Sequence, residues 1–186
     1  MDEVDKKFKD FINLLEERTI HPIDNTDIKE SCTATLLLLF AAVDSLSKIT
    51  CSDKEFALYK ENRGSNSLRF TGFLDKFMCN KYAIYKDPIY SLRNDMVHTG
   101  INTKVILTKS QHLEKHLQFV DEYLWINTNQ FLDDFKKTIE KIKNNIDEQG
   151  KIYQNAKKRL KGINIIEVDE QNETPRPSPG PNDSFY

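Results

Sequence analysis

The chain has no long hydrophobic run. Its longest apolar stretch, ATLLLLFAAV from Ala34 to Val43, is about half the roughly 20 residues a membrane span requires. The amino terminus, MDEVDKKFKDFINLLEE, is charged from its second residue and lacks the apolar region of a secretory signal. Cysteine is also scarce. Cys32, Cys51 and Cys79 are widely spaced and form neither a zinc-knuckle pair nor a redox dithiol, so free thiols in a reducing compartment are expected. Neither sign of charge dominates, with 27 Lys and Arg against 29 Asp and Glu, which excludes a protein that binds polyanions with its whole surface. A nucleic-acid site would have to be a local patch. There is no glycine-rich phosphate loop, no GxSxG, no paired-carboxylate motif and no internal repeat. These absences predict a soluble, cytoplasmic protein with no cofactor, no resident metal and no membrane contact.

At 186 residues the chain suits one domain with an appendage. Phe8, Phe11, Ile12 and Leu15 recur at helical spacing and predict an amphipathic helix over residues 3–18, broken at TIHPIDNTD by Pro22. Asn25 or Thr26 can cap a second helix running to about Ile49, with Leu36, Leu39, Phe40, Val43 and Leu46 on one face. Leu37, Leu38 and Ala41 make its other faces apolar too, the pattern of a buried central helix. Residues 50–66 turn polar and loop-like. SLRFTGFLDKFM follows as a third helix with Phe70, Phe73, Leu74 and Phe77 inward. Asp87 and Pro88 then resemble a cap and first turn, and Gly100 a stop, for a short fourth helix over residues 88–98.

Residues 103–126 are rich in β-branched and aromatic side chains and leave room for a small β-hairpin or meander. Leu113, Leu117, Val120 and Leu124 also stand at helical spacing there, so both readings remain open. A clear helix follows, with Asn and Thr caps and a stripe of Phe131, Phe135, Ile139, Ile142 and Ile146, then a further helical piece to about Leu160. The fold class expected is mainly all-α, a helical bundle over residues 1–162. Residues 163–186 form an acidic, proline-rich, aperiodic tail, expected to be disordered or to dock on a partner as polyproline II.

The stretch SLRNDMVHTG, residues 91–100, carries the chemistry of interest. Ile89, Leu92 and Met96 make the core-facing stripe of its helix, and Tyr90, Asn94 and His98, at i, i+4 and i+8, lie roughly opposite. Arg93 sits at the boundary, within reach of Asn94 and His98. An arginine followed by a polar residue, a short spacer and a histidine near a helix end, RNDMVH, resembles the motif of the HEPN superfamily. The preceding LLLLFAAVDSLSKI helix is also similar to bacterial members.

That resemblance implies an all-helical HEPN-type bundle and a metal-independent endoribonuclease, of the kind found among toxins and phage-defence effectors. It further implies RNA as substrate, a homodimer whose motifs meet in one cleft, and a protein antitoxin as a further partner. His98 would be the general acid–base residue, since histidine exchanges protons near neutral pH. Arg93 would clamp the phosphate with its fork-shaped cation, and Asn94 would position phosphate or histidine. The plainer reading is that Asn94 and His98 are a solvated face and that Arg93 pairs with a structural carboxylate. A non-catalytic dimerisation or partner-binding module is the alternative function.

Other residues extend the site. Asp44 interrupts the apolar helix, where a lone charge is costly unless paired; it can orient Arg93 or His98, and the plainer reading is that it lies near the helix end and meets water or Lys48. Tyr90 is a second supporting residue. Residues 136–161 hold nine basic residues, among them Lys136, Lys137 and Lys141, against three acidic ones, so they could flank RNA or form an amphipathic helix's outer face. His112 and His116 have metal-pair spacing without a third ligand. Phe119, Tyr123 and Trp125 could stack bases but are expected in the core.

Overall fold

The computed structural model describes residues 3–51, 65–98, 104–109, 111–144 and 150–160. The polar segment at residues 52–64, Gly100, Ile146 and the tail from residue 163 lie outside the described residues.

Helix α1, Glu3–Leu15, buries Phe8, Ile12 and Leu15 and carries Glu3 and Asp5 at its positive end. It does not end at a break around Pro22 as the sequence suggests. A π-helical turn, Glu16–Ile20, leads directly into α2, His21–Asn25. In that turn the His21 N–H donates to the Glu16 carbonyl, a wider step than an α-turn. Pro22, which has no N–H to give, is thereby placed in the first turn of α2, where it does no harm. Thr26 Oγ1 donates to the Pro22 carbonyl and accepts from Ile28 N–H, starting a short 3₁₀ turn over Asp27–Glu30.

The central helix α3, Cys32–Thr50, is therefore capped by Ser31, whose Oγ accepts from Ala34 N–H at 3.2 Å, and not by Asn25 or Thr26. By length and composition it could cross a membrane, but half of its apolar window is buried inside the fold. Its neighbours are α4 (Ser65–Lys76), α5 (Asn80–His98), α6 (Thr128–Asn144) and α7 (Lys151–Leu160). Phe40 at its middle meets Phe70 of α4 and Phe131 of α6 edge-on, with ring centroids 5.8 and 5.9 Å apart. Leu36, Leu39, Val43 and Leu46 are fully buried beside it, as the periodicity predicts.

Helix α5 begins at Asn80 rather than at Pro88, so Asp87 is not a cap and Pro88 is internal. The missing hydrogen bond frees the carbonyl of Ile84, whose side chain is 75% exposed. On that solvent-facing turn water can satisfy the carbonyl, so the helix tolerates the proline. The inward stripe of Tyr82, Ile89, Leu92 and Met96 holds it in place.

The helical alternative for residues 103–126 gives way to a three-stranded sheet. β1 (Val105–Thr108), β2 (Gln118–Val120) and β3 (Tyr123–Asn127) lie in the order β1-β3-β2. β2 and β3 form the expected antiparallel hairpin through Asp121 and Glu122, both at positive φ (49° and 69°), the geometry of a tight hairpin turn. β1 adds a further strand, Val105 opposite Leu124, paired in parallel where a hairpin or meander would be antiparallel throughout. One continuous core runs from Phe8 to Leu160, making the described part a mainly helical bundle with a small sheet attached.

Candidate functional site

The polarity of α5 and the single acid of α3 meet across the seam between the two helices. Arg93 is one-fifth exposed, and so is Asp44. Arg93 Nε donates to Asp44 Oδ2 at 3.0 Å and Nη2 donates to the same oxygen at 2.6 Å, while Nη1 donates to Asn94 Oδ1 at 3.0 Å. A guanidinium has five N–H groups. These three bonds leave two, on Nη1 and Nη2, for an anionic ligand. Of the partners open to Asp44 in the sequence, namely Arg93, His98, and water or Lys48, it is Arg93 that the carboxylate holds.

His98 is the last residue of α5 and is exposed, with Val97 beside it half exposed. No hydrogen bond joins it to Arg93 or Asn94. Tyr90 departs from the polar stripe that the spacing suggests. It is half-buried, with its ring 5.5 Å from that of Phe70 on α4, so it supports the site by packing. The structure therefore gathers Arg93, Asn94 and Asp44 into one hydrogen-bonded unit, leaves His98 open at the helix end, and turns Tyr90 inward.

The basic run on α6 is largely neutralised. Lys136 pairs with Asp24 at 2.6 Å, Lys137 with Asp134 at 3.7 Å, and Lys143 with Glu16 at 2.7 Å. Lys136 and Lys143 accordingly tie α6 to α2 and to the π-helical turn, Lys137 pairs within α6 itself, and Lys141 lines a cavity at the other end of α5.

His112 and His116 do not share a helical face. His112 is exposed in a left-handed conformation (φ 60°), whereas His116 is 3% exposed and uses both ring nitrogens. Its Nδ1 accepts from Asn127 N–H at 3.1 Å, so the neutral ring carries its proton on Nε2, 3.1 Å from the Tyr82 hydroxyl. That hydroxyl donates on to Asp134 Oδ2 at 3.3 Å, and Asp134 Oδ1 accepts from Gln130 Nε2. Burial pushes the His116 imidazole from 6.5 down to about 4, with Asp134 opposing the shift and Lys81 adding to it. Burial, with the Asp134 carboxylate beside it, raises the Tyr82 hydroxyl well above its usual range. This chain pins the sheet to α5 and α6. Sequence reading missed it, and the one available signal was a histidine within a segment of alternating apolar residues. Among the described residues, no group of three or more His, Cys, Asp or Glu could hold a metal ion.

The aromatic trio also differs from the core placement expected. Phe119 and Tyr123 are 55% and 43% exposed on the short edge hairpin. Trp125 is partly covered by the Lys115 ammonium, 4.2 Å from its ring centre. No family model matches this chain, and neither a curated protein nor a solved structure matches it.

Proposed function

We propose that the chain is a metal-independent endoribonuclease of HEPN type, acting in the cytoplasm as a toxin or defence effector with a protein antitoxin as its counterpart. The observation that carries this reading is the Arg93 fork, fixed by Asp44 and Asn94 with two N–H groups to spare, on a helix that ends in the exposed His98. An arginine held before substrate arrives stabilises developing phosphorane charge at little reorganisation cost. In the reaction the ribose 2′-hydroxyl loses its proton to a histidine, O2′ attacks phosphorus, and the bond to the 5′-oxygen breaks. That oxygen takes a proton from a second histidine. The products are a 2′,3′-cyclic phosphate and a 5′-hydroxyl. Two histidines at one phosphate require two copies of the chain, hence a homodimer with both α5 ends in one cleft.

A second reading, a non-catalytic dimerisation or partner-binding module, draws on the same ion pair, because a part-buried Arg93–Asp44 bridge also serves as a structural clasp. The two readings separate on one experiment, cleavage of total RNA and tRNA in EDTA by wild type, His98→Ala and Arg93→Ala, each checked for folding. The nuclease reading expects cleavage by wild type and its loss in both folded variants. Inert wild type, or variants that cut equally well, would move the module reading ahead.

A further inference from the structure

Side chains on β3 alternate between two environments. Leu124 and Ile126 are buried, whereas Tyr123 and Trp125 share the opposite, outer face of the sheet. Phe119, paired with Leu124 in the hairpin, belongs to the other face, where its ring lies 5.9 Å from that of Tyr85 on α5. Tyr123 follows directly on the turn of Asp121 and Glu122, whose exposed carboxylates pair with no cation among the described residues. Trp125 carries the Lys115 ammonium 4.2 Å from its ring centre. Its indole N–H is covered, yet it has no acceptor among the described residues. The outer face thus offers two neighbouring rings, an acidic end and an unused donor.

One stretch of the chain beyond the described residues matches this face. TPRPSPGP, residues 174–181, has proline at every second position from Pro175 to Pro181, a composition that favours polyproline II, and Arg176 is the one cation among residues 163–186. In polyproline II, Pro177 and Pro179 lie about 6 Å apart along the axis, close to the roughly 7 Å between same-face residues of a strand. We infer that this segment docks on the sheet of its own chain, with Pro177 on Tyr123, Pro179 on Trp125 in place of the Lys115 ammonium, and Arg176 at Asp121 and Glu122. Aromatic surfaces bind proline-rich segments because the prolines are ordered before they dock. A polyproline II backbone makes no internal hydrogen bonds, so its carbonyls are free to accept the Trp125 N–H. The tether suffices. Residues 161–174, between Leu160 and Pro175, span up to about 50 Å when extended, more than the roughly 40 Å width of a domain of this size. Helix α7 and strand β1 also pack on the same helix, α3. Such a tether gives an effective concentration in the millimolar range, enough to keep a weak contact occupied. The surface uses neither Arg93 nor His98, so it stands apart from the ribonuclease reading.

Trp125 is the chain's single tryptophan, so its fluorescence reports on this surface in the whole protein. Acrylamide quenching is compared between wild type and Arg176→Glu/Pro177→Ala/Pro179→Ala, with circular dichroism and thermal melting to check that the bundle is intact. The inference expects Trp125 to be quenched at least twofold less steeply in wild type, by the same margin across a hundredfold dilution. In a Tyr123→Ala background the tail substitutions should become silent. Added TPRPSPGP peptide should restore protection to the tail variant at millimolar concentration and leave wild type, whose surface is already covered, little changed. Equal quenching of wild type and tail variant, a peptide without effect on that variant, or an undiminished tail effect in Tyr123→Ala overturns the inference. Protection that disappears on dilution overturns it too, since the docked segment would then come from a second copy of the chain.

Discussion

A single oxygen of Asp44, Oδ2, accepts both the Nε–H and an Nη2–H of Arg93 across the seam between α3 and α5. Asp44 is the only acid on α3, so its charge has this one use. Breaking a fully buried pair costs about 3–5 kcal/mol. With both partners one-fifth exposed, Asp44→Asn should cost less, about 1–2 kcal/mol, read as a lower urea midpoint with an unchanged slope. If the proposed nuclease operates, the same change lets Arg93 swing away, and RNA cleavage should fall by tenfold or more. A stable variant that cuts as wild type does would show that Asp44 does not position the arginine.

Arg93→Lys separates charge from shape. Lysine keeps the positive charge but is a point donor on a flexible stem, unable to hold Asp44, Asn94 and a phosphate together. Cleavage should drop by about a hundredfold in the range typical of lost electrostatic positioning, while thermal melting shifts far less than in Arg93→Ala. Retained cleavage in the lysine variant would mean that the fork geometry is not used.

What could be read from the sequence depended on how local its cause was. The stripe of Phe131, Phe135, Ile139 and Ile142 on α6 and the apolar faces of α3 are set by residues three and four apart, and both lie where periodicity places them. Asp87-Pro88 imitates a helix start because the same two residue types suit a first turn, and only the buried Tyr82 upstream shows that α5 is already under way. Arg93 and Asp44 are 49 positions apart, yet a partner for Asp44 was expected, because a lone acid in an apolar helix demands one. Tyr82, His116 and Asp134 gave no such warning. Their contacts span 34 and 52 positions, and each residue alone is compatible with an exposed loop or helix face.

Tyr82→Phe tests that buried chain. The ring, packed edge-on to Phe131 at 5.1 Å, keeps its contacts, while His116 Nε2–H and Asp134 Oδ2 lose their shared partner. An unsatisfied buried donor costs about 1–3 kcal/mol, so the urea midpoint should fall with helix content unchanged. Amide exchange should quicken first in β2 and β3, which His116 ties to the bundle through Asn127. A loss spread evenly over all elements would argue against a local pin.

His116 makes folding sensitive to mild acid. In the unfolded chain its imidazole binds a proton near pH 6.5, whereas burial in the folded protein defers that to about pH 4. Between those values the unfolded state holds more protons than the folded one, so stability is complete above about pH 6.5 and declines as pH falls towards 4. The groups facing the ring do not remove this effect. Asp134 opposes the shift and Lys81 adds to it, but neither outweighs burial, and Tyr82 stays protonated throughout the window. The expected loss is on the order of 2–3 kcal/mol at one pKa unit per 1.36 kcal/mol, visible as a fall in the urea midpoint from pH 7 to pH 4.5. His116→Gln, less stable at neutral pH, should flatten that dependence, because glutamine has no proton to take up. Equal acid sensitivity in wild type and variant would assign the effect to the carboxylates instead. In NMR the His116 ring should then still have to titrate near pH 4, with Nε2 protonated and Nδ1 accepting above it.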